Sequence, residues 1–371
     1  MTPDKRSLVI APQWIGDAIM TEPLLRRLQA RGERLTVGAL PWVAPVYRAM
    51  PQVAEVIEFP FQHGGLQFKA RLAIAKRIRG QFDIAYVCPN SLKSALLPAM
   101  ARIPRRVGFT GEVRIGLLTD RLPNPADKPP MVAFYSALSG ETGLDCDRPQ
   151  LQLASGAVDS VLAELGLARQ GFYVLAPGAE YGPAKRWPTR HFADLAAQLG
   201  KPVVLLGAGK EAALCDEIVL LAQTGSGASE LPGVPGPSDA TGASDAASGP
   251  SATSGAPGRG NRPVSRLHNL AGKTTLEQAM ALIAASAATI SNDSGLMHVA
   301  AALGVAQVAI FGSSSPRHTP PLNDRASVLW LKDDPAYQPP LDCAPCFARD
   351  CPLGHTRCLN DLDANRVLLS L

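Results

Sequence analysis

The stretch Ala288–Phe311, ATISNDSGLMHVAAALGVAQVAIF, decides the fold. Ala288 to Ser291 is an apolar run of strand length, and Asn292-Asp293-Ser294-Gly295 is a turn signal. Gly295 to Leu303 is an alanine-rich segment at helical spacing, and Val308 to Phe311 is a second apolar run. Strand, helix and strand in that order form a βαβ unit with parallel strands.

The same alternation continues outward. Upstream, Phe172 to Ala176 and Val203 to Leu206 read as strands, and Leu267 to Leu270 is strand-like. His191 to Leu199, Glu211 to Ala222 and Leu276 to Ala287 read as helices. In the first half, Leu8 to Pro12, Leu35 to Leu40 and Ile84 to Cys88 are strand-like, and Leu24, Leu25 and Leu28 keep helical spacing. A helix over 66–79 carries Lys69, Arg71, Lys76, Arg77 and Arg79. At 371 residues the chain suits two cores. The expected fold is therefore α/β, with two Rossmann-like halves joined near 150–170: domains over 1–165 and 166–358, and a C-terminal helix over 359–371.

Between Thr224 and Val264 the sequence turns to Gly, Ser, Ala, Pro, Thr and Asp without an aromatic residue. That composition buries too little surface to offset ordering, so 224–264 is expected to be a disordered insertion looping out of the second domain. A net charge of +4 is slight for this length. It excludes a typical nucleic-acid binder and leaves an anionic ligand or a membrane surface open. Leu8 to Pro12 is too short for a signal-peptide core, and no run reaches the roughly 18 apolar residues of a spanning helix. A cytoplasmic location is expected.

Several residues have the right type and place for chemistry. Asn292-Asp293-Ser294-Gly295-Leu296-Met297-His298 lies where a strand gives way to a helix. There a glycine admits a phosphate, and Ser294 and free helix-start amides can donate to a diphosphate; a plain N-cap by Asp293 or Ser294 reads the same residues equally well. Pro177-Gly178 to Lys185-Arg186-Trp187-Pro188 places two cations after a strand, where a lysine could neutralise a diphosphate without a metal, or simply face solvent. Glu211 follows the Gly207-Ala208-Gly209 turn. Asp17 follows the first strand, where its carboxylate could accept a hydroxyl proton or cap a helix. Its pKa is expected near the usual value of about 3.9, held low by the helix start. The first turn lacks Gly-x-Gly-x-x-Gly, which argues against a dinucleotide oxidoreductase. Lys93, Arg105, Arg106 and Arg114 are candidate contacts to an anionic acceptor, or surface cations. Cys343, Cys346, Cys351 and Cys358 have a spacing that fits a structural zinc site or free thiols.

Four ordered segments together resemble the lipopolysaccharide heptosyltransferases of glycosyltransferase family nine, the heptosyltransferase II group most of all. They are Ala11-Pro12-Gln13-Trp14-Ile15-Gly16-Asp17, Pro89-Asn90-Ser91-Leu92-Lys93-Ser94-Ala95, Pro183-Ala184-Lys185-Arg186-Trp187-Pro188 and Asn292 to His298. The resemblance covers nearly the whole chain outside 224–264. It implies a GT-B fold, with the acceptor on the N-terminal domain and ADP-L-glycero-D-manno-heptose on the C-terminal one. It further implies inverting transfer, with Asp17 as general base, Lys185 on the diphosphate, Glu211 near the ribose, and Asp293, Ser294, Gly295, Leu296 and His298 as the donor loop. No catalytic metal or cofactor is implied. The implied acceptor is Kdo-lipid A carrying one heptose, met at the cytoplasmic face of the inner membrane by peripheral attachment. Other acceptors, as in heptosyltransferases I and III, and an inactive nucleotide-binding regulator are the alternatives. Glu180 and Tyr181 depart from heptosyltransferase I, which has two threonines there.

Overall fold

The computed structural model describes residues 5–61, 65–141, 147–154, 156–224 and 267–371. The first half contains β1 (Lys5–Ile10), β2 (Glu33–Ala39), β3 (Val53–Glu58), β4 (Ile84–Val87), β5 (Arg105–Phe109) and β6 (Asp120–Leu122). These form one sheet in the order β3-β2-β1-β4-β5-β6, parallel at every pairing. The second half contains β7 (Tyr173–Ala176), β8 (Val203–Leu205), β9 (Leu267–Asn269), β10 (Ala288–Asn292), β11 (Gln307–Ile310) and β12 (Ala326–Leu329). Their order, β12-β11-β10-β7-β8-β9, is again all parallel. Numbered within its own half, each sheet runs 3-2-1-4-5-6, the doubly wound order. The expected α/β pair of Rossmann-like halves is present.

Burial explains why the apolar runs became central strands: β4, β8, β10 and β11 are buried at every position, as parallel strands covered on both faces must be. The helix Glu22–Ala30 buries Leu24, Leu25 and Leu28 against this layer. One apolar cluster runs through both halves, from Val9 and Leu25 to Phe172, Leu282 and Val299.

The halves meet most closely where helix Ile15–Met20 crosses helix Gly295–Ala302, through two glycines. A Cβ on Gly16 would stand 2.8 Å from Cδ2 of His298, and one on Gly295 would stand 2.9 Å from Cβ of Ile15. Both are closer than side chains normally pack, so each glycine permits the crossing.

The structure differs from expectation at the C-terminus. Two short helices, Arg357–Asn360 and Ala364–Leu368, replace a single helix over 359–371. Asp363 starts the second, accepting the Arg366 amide at 2.9 Å. Thr224 ends helix Ala212–Thr224, and the rest of the expected insertion, 225–264, lies outside the described residues. Among the described residues no helix is long and apolar enough to cross a membrane.

Candidate active site

A parallel sheet binds ligands at the carboxyl ends of its strands, beside the point where strand order reverses. That point lies between β1 and β4 in the first sheet and between β7 and β10 in the second. The loops after these four strands face one another, and most of the candidate residues sit on them.

Asp17 lies in helix Ile15–Met20, directly after β1. It is partly buried, and Tyr135 Oη donates to Oδ1 at 3.2 Å. Loss of water on burial is the dominant influence. It pushes the carboxyl pKa up to about 6, against the lowering effects of the Tyr135 hydrogen bond and the Lys185 charge. The expectation of a pKa held low by the helix start is thus corrected. A six-residue helix offers a weak dipole, and desolvation outweighs it. The carboxylate remains mostly ionised at neutral pH and is a better proton acceptor than an ordinary aspartate. Asp17 lines a cavity of about 350 Å³ with Cys88, Asn90, Lys128, Phe134 and His318.

Lys185 ends the short turn Pro183–Lys185 after β7. Its Nζ donates to Oδ2 of Asp293 at 2.6 Å and stands 5.4 Å from the Tyr181 ring centre. Asp293 leaves the end of β10, is 6% exposed, and also accepts from Thr319 Oγ1 at 3.3 Å. Asp293 therefore holds the lysine ammonium through one oxygen and the Thr319 hydroxyl through the other. His298, buried against Gly16, has its pKa lowered to about 4, first by burial and then by Lys185, so its imidazole is neutral at pH 7.

Beside this pair, Gly178, Gly207, Glu211, Ser294, Gly295 and Leu296 line a cavity of about 300 Å³. Glu211 Oε2 accepts the Ala208 amide at 2.7 Å. A Cβ on Gly178 would run into the Glu211 carboxylate, so a larger residue there would displace that side chain. Ser294 makes no side-chain cap to the helix Gly295–Ala302. The plain N-cap reading therefore fails for Ser294, and the helix start opens on the cavity. From the other half, Ile15 and Trp42 line the same cavity.

The candidate acceptor cations separate. Lys93 lies in the first turn of helix Leu92–Met100 and lines a third cavity with Gln13, Phe61 and Arg71, at the same carboxyl end. Arg114 is buried and donates to Pro89 O at 2.8 Å and Asn90 Oδ1 at 3.3 Å, so it holds the loop after β4. Arg105 and Arg106 are not brought to the cleft. Arg105 pairs in register with Ile84, and Ile84 with Ser7, which places it at the amino ends of the strands, away from Asp17. There Arg105 pairs with Asp120 at 2.5 Å, and Arg106 donates to Leu117 O and Ile103 O. Sequence reasoning missed Tyr135, Trp42, Lys128 and Thr319. Only the exposed tryptophan after a strand carried a signal. Glu180, one of the two departures, pairs with Lys210, and Tyr181 donates to Phe347 O at 2.8 Å.

A family model described as glycosyltransferase family 9 (heptosyltransferase) matches residues 71–227 and 258–356. The chain belongs to this family. It is 39% identical over 341 residues to lipopolysaccharide heptosyltransferase 2 of Escherichia coli, covering 87% of each chain. It is 34% identical over 341 residues to lipooligosaccharide heptosyltransferase 2 of Haemophilus influenzae, covering 87% of this chain and 88% of that one. Among solved structures it matches E. coli ADP-heptose LPS heptosyltransferase II with a TM-score of 0.76 and 35% identity. That match covers 98% of this chain and 97% of the other. The protein is a glycosyltransferase with the two-domain GT-B architecture of that structure. Among its described residues no three His, Cys, Asp or Glu side chains stand together as metal ligands.

Proposed function

We propose that the enzyme transfers L-glycero-D-manno-heptose from ADP-heptose to the first heptose of the lipopolysaccharide inner core, inverting the anomeric centre and releasing ADP. The observation that carries this reading is the placement of a basic, desolvated Asp17 across from the Lys185–Asp293 pair, with the cavity of Glu211 and Ser294 beside it. The relatives' names, over nearly the same length of chain, support the sugar and the acceptor.

The acceptor hydroxyl gives its proton to Asp17 as its oxygen bonds to the anomeric carbon. The bond from that carbon to the diphosphate breaks, and its electron pair leaves with ADP. Lys185, held in place by Asp293, and the amides at 294–296 stabilise the leaving charge. Neutral His298 adds no charge and keeps the crossing at Gly16 closed. Glu211 takes the ribose side of the cavity. On the acceptor side, Lys93 and Lys128 meet the anionic groups, Arg114 holds the Asn90 loop, and Arg105 and Arg106 have no part. The amphiphilic acceptor calls for peripheral attachment to the cytoplasmic face of the inner membrane. Lys69 and Lys76 are exposed for this, whereas Arg71 is buried and donates to Leu66 O and Lys93 O. Any ion bound at Cys343, Cys346, Cys351 and Cys358 is structural.

The test is to incubate the enzyme with ADP-heptose and core acceptors carrying no heptose, one or two, and to weigh the products. Addition of one heptose to the one-heptose acceptor alone supports the proposal. Extension of another acceptor reassigns the enzyme within its family, and no extension of any would leave a nucleotide-binding regulator.

A further inference from the structure

Residues 334–356 form the longest described stretch without a helix or strand. Segments of this length without secondary structure are uncommon in compact domains and call for something else to order them. This one packs on the turn that carries Lys185. The Ala184 amide donates to Arg349 O at 3.1 Å, Tyr181 Oη to Phe347 O at 2.8 Å, and the Phe347 amide to Ser313 O at 2.8 Å. At Gly182 the approach is so close that a Cβ would stand 2.5 Å from Arg349 O.

Inside the stretch and just beyond it, Cys343, Cys346, Cys351 and Cys358 line one small cavity of about 20 Å³, with Ala184 on its far wall. A space of this size holds a single ion or water. None of these four cysteines is in a disulfide. The Ser313 hydroxyl on the same cavity wall is buried and has no hydrogen-bond partner.

We propose that Cys343, Cys346, Cys351 and Cys358 bind one zinc ion, and that the bound ion braces the Pro183–Lys185 turn. Four sulfur donors in a tetrahedral arrangement suit zinc, with ferrous iron the alternative of the same donor chemistry. The thiols do not yet stand at ligand geometry. Binding draws them inward across the cavity by rotation about their Cα–Cβ bonds, and so orders a stretch that lacks backbone ladders. The cavity lies behind Ala184, so the ion touches no substrate. The bracing half of the proposal rests on the role given to Lys185 above, whereas the site itself does not.

The experiment uses the full-length enzyme, produced in zinc-supplemented medium and kept reduced. Elemental analysis should find one zinc or iron per chain. Cobalt(II) added to metal-free protein should give the intense visible bands of tetrahedral cobalt thiolate, saturating at one equivalent. Cys346→Ser alters an exposed thiol. It should weaken cobalt binding at least tenfold, the usual order for a disturbed metal shell. Removing the ion should lower Tm and reduce kcat at least tenfold. No ion with no cobalt bands, or an intact mass showing two disulfides, overturns the site. An ion whose removal changes neither Tm nor kcat overturns the brace. Metal content and cobalt spectra need no sugar substrate, so failure of the transferase reading would leave them standing.

Discussion

In the first sheet the strand order reverses between β1 and β4, and Asp17 follows β1. In the second it reverses between β7 and β10, and Asp293 follows β10. Identical topology thus presents an aspartate to the cleft from each side, and the two do different work. Asp293 is bonded to the Lys185 ammonium and the Thr319 hydroxyl, so its charge is spent on orienting a cation. Asp17 is bonded to the neutral Tyr135 hydroxyl, and burial leaves its carboxylate hungry for a proton. Strand order determines where a carboxylate stands, while burial and partners determine what it does.

The comparison breaks first at Asp17. Asp17→Asn keeps the shape and an acceptor for Tyr135 but cannot take the proton, so kcat should fall by about 10²–10⁴-fold. ADP-heptose affinity should hardly change. In the native enzyme kcat/KM should fall as pH drops through about 6, because the base is then protonated. Stability should move the other way. The folded state raises this pKa from 3.8 to about 6, so ionised Asp17 destabilises the fold. That effect is absent below pH 3.8, where the group is neutral in both states, and complete above about 6. Asp17→Asn should therefore melt above the native enzyme at pH 8 and level with it at pH 3.5. Near-normal turnover in the variant would make Asp17 a helix residue and nothing more.

On the other side, Lys185→Ala removes the charge proposed to face the diphosphate and should lower kcat by about 10²–10³-fold. It also leaves Asp293 buried without its cation, so Tm should fall, opposite in sign to Asp17→Asn. If both variants shifted Tm in the same direction, the contrast between the two aspartates would be wrong. A smaller effect is expected between the halves. Gly16→Ala drives a methyl into His298 and should cost about 1–3 kcal/mol by overpacking, read as a lower midpoint in urea. Donor KM should rise with it, because Ile15 of the same helix lines the cavity proposed for the donor. An unchanged midpoint and KM would mean that the crossing adjusts freely.

The sequence disclosed the fully buried strands and concealed most of the more exposed ones, for one reason. β4, β8, β10 and β11 are buried at every position and read as mainly apolar runs, whereas β3, VAEVIE, is half exposed and β6, DRL, is short and polar. β5, RRVGF, opens on two arginines and so shows no apolar run at its start, and Arg105 and Arg106, candidate acceptor contacts by residue type, stand at the beginning of that strand, away from the cleft. The turn at Asp293-Ser294-Gly295 was legible because a strand-to-helix transition shows locally. The Lys185–Asp293 bond joins residues 108 apart, and Tyr135 meets Asp17 from 118 away. Burial of Asp17 is likewise a property of the packed chain, which is why its place at a helix start alone points its pKa the wrong way.

The smallest effect should come from a deletion. Residues 225–264 belong to neither side of the comparison between the two aspartates. Without an aromatic and rich in Gly, Ser, Ala and Pro, they have little to bury, and by composition they stabilise no core. The elements that flank them are fastened without their help. Asn269 of β9 donates to Asp216 Oδ1 at 2.6 Å, joining that strand to helix Ala212–Thr224, and β9 pairs with β8 in register. Loop-closure entropy depends weakly on length, about 0.6 kcal/mol per doubling, so a short Gly-Ser link should if anything favour the fold slightly. Tm, kcat and donor KM should stay within about twofold or a few degrees of the native values. A deletion variant that lost most of its activity while keeping its Tm would instead give 225–264 a place in the site, and the cleft built from the two switch points would be incomplete.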